Sequence, residues 1–241
     1  MKDIAEHCVF ITGGSKGIGY GVAEAIVVRG GKVAITSRSR DEVMGAADRL
    51  SEQGPGRALG LVCDVRDYAA QRNAVDQALH EFGQLDAVVA NAGVGRFDSI
   101  KELSESDWLD TIDTNLTGVF YTVKASLDAL RESKGFLVTI ASLAGTNFFA
   151  GGAAYNASKF GLVGFTQAVM LDLRADDVRV STIMPGSVAT HFAGNKPSSA
   201  DDWKIQPEDV GQLVVDLLKM PARTLPSKVE VRPARPKAKG K

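Results

Sequence analysis

Tyr155 and Lys159 stand four residues apart in the stretch Tyr-Asn-Ala-Ser-Lys. On a helix that spacing puts both side chains on one face, one turn apart. A free phenol, near pKa ~10, is a poor proton donor or acceptor at neutral pH. A neighbouring ammonium favours the phenolate and lowers that value, as an oxidised nicotinamide also would. The lysine can also hold ribose hydroxyls. Ser142 follows an apolar run and can offer its hydroxyl to a substrate carbonyl beside the tyrosine. Asn115, inside a long helical stretch, can order a water near Lys159 through its carboxamide. Such a set suits proton transfer to or from a carbonyl or alcohol oxygen. Taken alone, Tyr-x-x-x-Lys is a common surface pair, so its positioning elements decide its meaning.

The first of these elements is Cys8-Val-Phe-Ile-Thr-Gly-Gly-Ser-Lys-Gly-Ile-Gly19. An apolar run of strand length leads into a glycine-dense turn, and the helical spacing of Val22, Ala25 and Ile26 follows. Backbone N–H groups of such a turn and the positive end of the helix dipole make an anion site, built here from Gly13, Ser15, Lys16, Gly17, Ile18 and Gly19. The glycine spacing is GxxxGxG, not the GxGxxG of the common dinucleotide fingerprint.

Further along, apolar runs predict strands over 32–37, 58–63, 85–90, 135–141, 178–184 and 228–231, alternating with helices over 20–29, 39–53, 66–82, 104–133, 155–173 and 207–219. Ser39 and Glu42 have capping-box spacing, and Pro207 suits a first helical position. Strands alternating with helices give a parallel sheet covered on both faces. The near-continuous apolar character of the strands agrees with that. Ligands then sit beyond the carboxyl ends of the strands. Thr12–Gly19, Ser37–Arg38, Asp64–Val65, Asn91–Ala92–Gly93, Ser142 and Pro185–Thr190, with Gly186 and Val188 among them, thus fall along one crevice.

At the end of the second strand an NAD site calls for an acid on the ribose hydroxyls, whereas this chain has Thr36-Ser37-Arg38-Ser39-Arg40. Arg38 near a helix N-terminus opposes the dipole and calls for an anion, and a 2′-phosphate can be bound bidentately by a guanidinium. Lys16 adds positive charge on the same side. These residues favour NADP over NAD. Asp64 can accept from an adenine amino group or serve as a helix N-cap or turn residue, and both readings stay open. Asn91 reads as a structural amide, and Gly93 as a point of close backbone approach.

Length and composition narrow the classes. The chain has 241 residues, 44% hydrophobic, with formal net charge −1. That suits one large α/β domain with a continuous core, and it gives no general case for nucleic-acid binding. Cys8 and Cys63 read as free buried thiols, with no disulfide framework. No apolar run is long enough to span a membrane and no leader pattern opens the chain, so a soluble cytoplasmic protein is expected. His7, His80 and His191 are scattered singly, and no metal site is expected.

Together the motifs resemble the short-chain dehydrogenase/reductase family, over 9–207. Thr12 to Gly19 is similar to its TGxxxGxG, Asn91-Ala92-Gly93 to its NAG, Tyr155 to Lys159 to its YxxxK, and Pro185 to Thr190 to its PGxVxT. The resemblance implies a Rossmann-type doubly wound parallel sheet of about seven strands in the order 3-2-1-4-5-6-7. It implies Tyr155 as acid in reduction and base in oxidation, and Ser142 as polariser of the substrate oxygen. Lys159 would tune the tyrosine and orient the ribose, and Asn115 would anchor a relay water. Ile18 and Thr190 would meet the nicotinamide, and Asp64 and Val65 would border the adenine.

The implied activity is NADP(H)-dependent hydride transfer between the nicotinamide and a carbonyl or secondary alcohol, with a small-molecule or thioester-linked substrate and a homodimer or homotetramer as the assembly. A general likeness to 3-oxoacyl-carrier-protein reductases and ketone reductases leaves the substrate open between the two. Asp176, Asp177 and Glu132 stand where a carrier-protein reductase tends to carry basic residues. A non-catalytic NADP-binding regulator on the same fold is the alternative, against which the complete Asn115, Ser142, Tyr155 and Lys159 set argues. The domain is expected to span 1–231. From 232 to 241 the chain is basic and Pro-rich instead of ending near Asp-Gly-Gly, and reads as a disordered tail.

Overall fold

The computed structural model describes residues 2–235. Seven strands, β1 (Cys8–Thr12), β2 (Lys32–Ser37), β3 (Arg57–Val62), β4 (Ala87–Ala90), β5 (Phe136–Ile140), β6 (Arg179–Pro185) and β7 (Lys228–Val231), form one parallel sheet in the order β3-β2-β1-β4-β5-β6-β7. Successive residues of β1 serve opposite faces. Val9 and Ile11 join a core with helices α1 (Gly17–Val27), α2 (Arg40–Glu52) and α7 (Pro207–Leu218). Cys8 and Phe10 join a second core with α3 (Tyr68–Phe82), α5 (Gly118–Ser133) and α6 (Ala153–Leu173). Two buried faces explain why the strands read as unbroken apolar runs. Both cysteines are buried free thiols, and burial pushes the Cys63 thiol up to about 12.

α1 and α7 cross at two glycines, where a Cβ on Gly211 would lie 2.3 Å from the Gly21 carbonyl oxygen. That contact fixes α1, and with it the turn at its N-terminus. The helical region expected over 104–133, open between one helix and two, is interrupted once. It consists of α4 (Glu105–Ile112), a π-helical turn (Asp113–Thr117) and α5. Such turns insert an extra residue and recur at functional sites, and this one carries Asn115.

Two local expectations are corrected. Ser39 caps α2 by accepting from the Glu42 N–H at 3.4 Å, but the reciprocal half of a capping box is not made. The Glu42 carboxylate instead faces Lys16 Nζ at 3.5 Å. The domain ends, as its span implied, with Val231 paired opposite Pro185, but Pro233 beyond it still lies near Gly186, where a Cβ would stand 3.4 Å from Pro233 Cδ. Lys237, Lys239 and Lys241 of the expected disordered tail lie outside the described residues.

Candidate active site

The strand ends open on a cleft of about 1010 Å³. Every site residue read from the sequence lines it except Gly19 and Asn115, which lie just behind its wall. The turn after β1 explains Gly19's position. Gly13 has φ +66° and Gly17 φ +59°, where side chains with a Cβ are strained. A Cβ on Gly19 would stand 2.4 Å from the Gly13 carbonyl oxygen, so glycine there lets the turn fold back on α1.

Asn91 ties this turn to β4, its Nδ2 donating to the carbonyls of Thr12 at 2.9 Å and Gly13 at 3.0 Å. The N–H groups of Asn91 and Ala92 in turn donate to Thr12 Oγ1. Asn91 is thus the structural amide its position suggests.

At the other end of the cleft, Tyr155 and Lys159 project from the first turns of α6. Lys159 is 4% exposed, and its Nζ donates to the Ile140 carbonyl at 2.9 Å and lies 5.8 Å from the centre of the Tyr155 ring. Burial brings the Lys159 ammonium down to about 8. Burial also raises the Tyr155 phenol above its usual value, opposed by its hydrogen bond with Ser142. The expected net lowering of the phenol by the lysine is therefore corrected. Desolvation of the ring outweighs the favourable groups, and Lys159 is turned towards β5.

Asn115 is fully buried, and its carboxamide is fully engaged elsewhere. Oδ1 accepts from the Val94 N–H at 2.8 Å, while Nδ2 donates to the Val94 carbonyl at 2.9 Å and to Ser158 Oγ at 3.1 Å. The carboxamide thus clamps the loop after β4 to α6. Gly93 lets this clamp approach the lysine, since a Cβ there would lie 3.2 Å from Asn115 Oδ1 and 3.8 Å from Lys159 Nζ.

Asp64 also differs from the expectation of a free acceptor. Arg66 donates to its carboxylate at 2.6 to 3.1 Å, and this holds the acid below its ordinary range. Asp67 caps α3, while Asp64 is the turn residue before it, accepting from the Arg66 N–H at 3.0 Å. Arg38, by contrast, makes no hydrogen bond or ion pair with the described residues, and its charge is felt at Asp64.

Sequence reasoning missed four contributors. Asn156 and Ser158 sit between the tyrosine and lysine. Asn156 Nδ2 donates to the carbonyls of Ala144 and Asn147, both at 2.8 Å, fastening the loop after Ser142 to α6. Ser158 Oγ donates to the Tyr155 carbonyl at 2.8 Å and accepts from Asn115. Their polar character within a buried helix was the available signal. Phe97 packs edge-on to the Tyr155 ring at 5.2 Å, with Phe149 and Phe192 around it. A large apolar residue four positions beyond Gly93 was the only hint of Phe97. The fourth contributor is the segment from Arg232 to Arg235. It walls a second pocket, of about 640 Å³, shared with Ser142 and Tyr155.

The short-chain dehydrogenase family model matches residues 7–201. The chain belongs to the short-chain dehydrogenase/reductase family. It is 35% identical over 192 residues to trans-4-hydroxycyclohexanecarboxylate dehydrogenase of Sinomonas cyclohexanicum, covering 78% of this chain and 74% of that one. It is likewise 35% identical over 181 residues to a 3-oxoacyl-(acyl-carrier-protein) reductase of Salmonella typhimurium, covering 75% and 72%. Among solved structures, an alcohol dehydrogenase of Thermococcus sibiricus complexed with 5-hydroxy-NADP superposes with TM-score 0.90 at 30% identity, covering 96% of this chain and 99% of that one. A metagenomic short-chain oxidoreductase in complex with NADP gives TM-score 0.85 at 30% identity over 98% and 100%. The Rossmann-type sheet of this short-chain dehydrogenase/reductase has the strand order its motifs imply.

The cleft also fits a dinucleotide on its own geometry. Its walls carry the buried Thr36 and Thr114 hydroxyls, which have no hydrogen-bond partner among the described residues. The glycine turn presents backbone where a Cβ would block the fold. Among the described residues no cluster of His, Cys, Asp and Glu could hold a metal, and no helix is long and apolar enough to cross a membrane.

Proposed function

We propose that the protein is an NADP(H)-dependent carbonyl reductase or secondary-alcohol dehydrogenase, with Tyr155 as its proton donor and acceptor. The observation that carries this reading is the placement of Tyr155. A protonated phenol, bonded to Ser142 and backed by a buried Lys159, faces the same cleft as the glycine turn. In this reading the glycine turn binds the cofactor's phosphates, and Arg38, with no partner of its own, takes the 2′-phosphate. Lys16, beside Glu42, is the weaker contributor, because that carboxylate offsets its charge.

A bound nicotinamide would supply or accept the hydride. The chain's own groups supply the rest. Ser142 Oγ, held by the Ala144 N–H at 3.1 Å, donates to the substrate oxygen. Tyr155 gives that oxygen its proton in reduction and takes it back in oxidation. Lys159, charged below about pH 8, stabilises the phenolate left behind. Phe97, Phe149 and Phe192 give the substrate an apolar wall beside the Tyr155 ring.

The named relatives act on a hydroxycyclohexanecarboxylate and on 3-oxoacyl thioesters. Both are secondary alcohol or carbonyl chemistries that this site accommodates. The test is NADPH oxidation by the purified protein against cyclic ketones, keto acids and 3-oxoacyl thioesters, with NADH and Tyr155→Phe as controls. Turnover that requires NADPH and Tyr155 is the expected result. Tight NADPH binding without turnover of any carbonyl would point instead to a regulator on the same fold.

A further inference from the structure

The pocket of about 640 Å³ beside the cofactor cleft is bounded by three kinds of wall. Ser142 and Tyr155 form the inner one. Leu143, Phe149 and Trp203 make its sides apolar. The outer wall is the extension of β7, from Arg232 to Arg235, which sequence composition alone describes as a tail.

That extension is fixed in place. Gly186 N–H donates to the Val231 carbonyl at 2.8 Å, and a Cβ on Gly186 would lie 3.4 Å from Pro233 Cδ. Pro233 has a restricted φ, which stiffens the turn away from the sheet. Arg232 thus lies between two braced residues, and the exposed Arg235 follows two residues beyond Pro233.

Their charge has little to balance it at the pocket. No Asp or Glu lines this pocket. Arg232 is paired with Glu230 at 3.0 Å, two residues back on the exposed edge. Arg235 makes no hydrogen bond or ion pair with the described residues. The buried indole N–H of Trp203, on the adjoining wall, also lacks an acceptor among them. Unpartnered donors and a guanidinium around an apolar chamber match a ligand with an apolar body and an anionic end.

We propose that this pocket selects substrates bearing an anionic group, carboxylate or phosphate, remote from the reacting carbonyl, with Arg235 as the principal contact and Arg232 as its support. The proposal builds on the reductase reading, which places the carbonyl at Tyr155.

Binding and turnover test it separately. The NADPH-loaded full-length protein is titrated with hexanoate, hexyl phosphate and hexanamide, followed by calorimetry. At least one anion is expected to bind about tenfold or more tightly than the amide. Arg235→Ala abolishes that preference and Arg235→Lys restores part of it, with NADPH affinity unchanged in both as the check on folding. The ratio between the two anions tells carboxylate from phosphate. Equal binding of anions and amide, no binding of any of them, or a preference that survives Arg235→Ala would overturn the proposal. Turnover of ketones with no anion preference would sink the pocket and spare the reductase. Anion preference without turnover of any carbonyl would do the reverse.

Discussion

Lys159 Nζ reaches from α6 to the Ile140 carbonyl at the end of β5, 2.9 Å away, and is buried there as it does so. One carbonyl is a poor substitute for the water shell of an ammonium, and burial alone lowers its pKa to about 8 from the ordinary 10.5. The folded protein therefore loses this proton at a lower pH than the unfolded chain does.

The sign of the linkage follows. Between about pH 8 and 10.5 the unfolded state binds more protons, so this group's contribution makes stability rise with pH. Below pH 8 the full cost of burying the charge is present, on the order of 3 kcal/mol. Lys159→Met removes that cost and leaves the Ile140 carbonyl without its donor, which takes back about 2 kcal/mol. The variant is expected to be about 1 kcal/mol more stable than wild type at pH 7 and about 1 kcal/mol less stable at pH 10, where the neutral amine still donates to the carbonyl. Urea denaturation of the cofactor-free protein at both pH values measures it. A variant less stable at pH 7 and unchanged at pH 10 would show that the lysine stabilises the fold.

Catalysis should carry the same titration. Tyr155 remains protonated past neutrality, so proton donation in reduction is limited first by loss of the Lys159 charge. The value of kcat/KM for NADPH reports the unliganded protein, and it is expected to be level up to about pH 8 and to fall above it. Tyr155→Phe should cut kcat by about a hundredfold or more with NADPH affinity retained. A flat profile from pH 7 to 10 would remove Lys159 from the proton-transfer step.

The glycine turn and the tyrosine–lysine pair were legible in the sequence because each rests on local spacing, and the sheet order followed from the family resemblance that these motifs carry. β2 and β7 have the spans expected of them, and the remaining strands differ only at their ends. What spacing cannot show is where a polar side chain finds a distant partner. Asn115 bonds Val94, and Asp64 gives its oxygens to Arg66. The π-helical turn preserves apolar spacing on both sides, so spacing does not mark where the helical region is interrupted. Arg232 to Arg235 has the composition of a loose end, yet the pairing of Val231 with Pro185 directs it across the site.

Cofactor choice should turn on Arg38. It stands at the cleft wall after β2 without an ion-pair partner among the described residues. Arg38→Ala should weaken NADPH binding by about tenfold to a hundredfold, the range for a charge-assisted hydrogen bond, and leave NADH binding within about twofold. Fluorescence titration with both cofactors decides it, and equal losses would reassign Arg38 to the solvated surface.

Asn115 gives the sharpest test of a positioning residue. Its carboxamide meets both polar groups of the Val94 backbone and Ser158 Oγ, and so links the loop after β4 to α6. Three residues beyond Val94, Phe97 leans on the Tyr155 ring. Asn115→Ala leaves a part-buried N–H and C=O unpaired, a cost of about 2–4 kcal/mol. The Val94 amide should then lose hydrogen-exchange protection ahead of the β4 strand, because only the loop is released. With Phe97 no longer held, the carbonyl substrate's KM should rise while NADPH binding holds. Protection at Val94 equal to wild type would mean that the loop is held by something other than this amide.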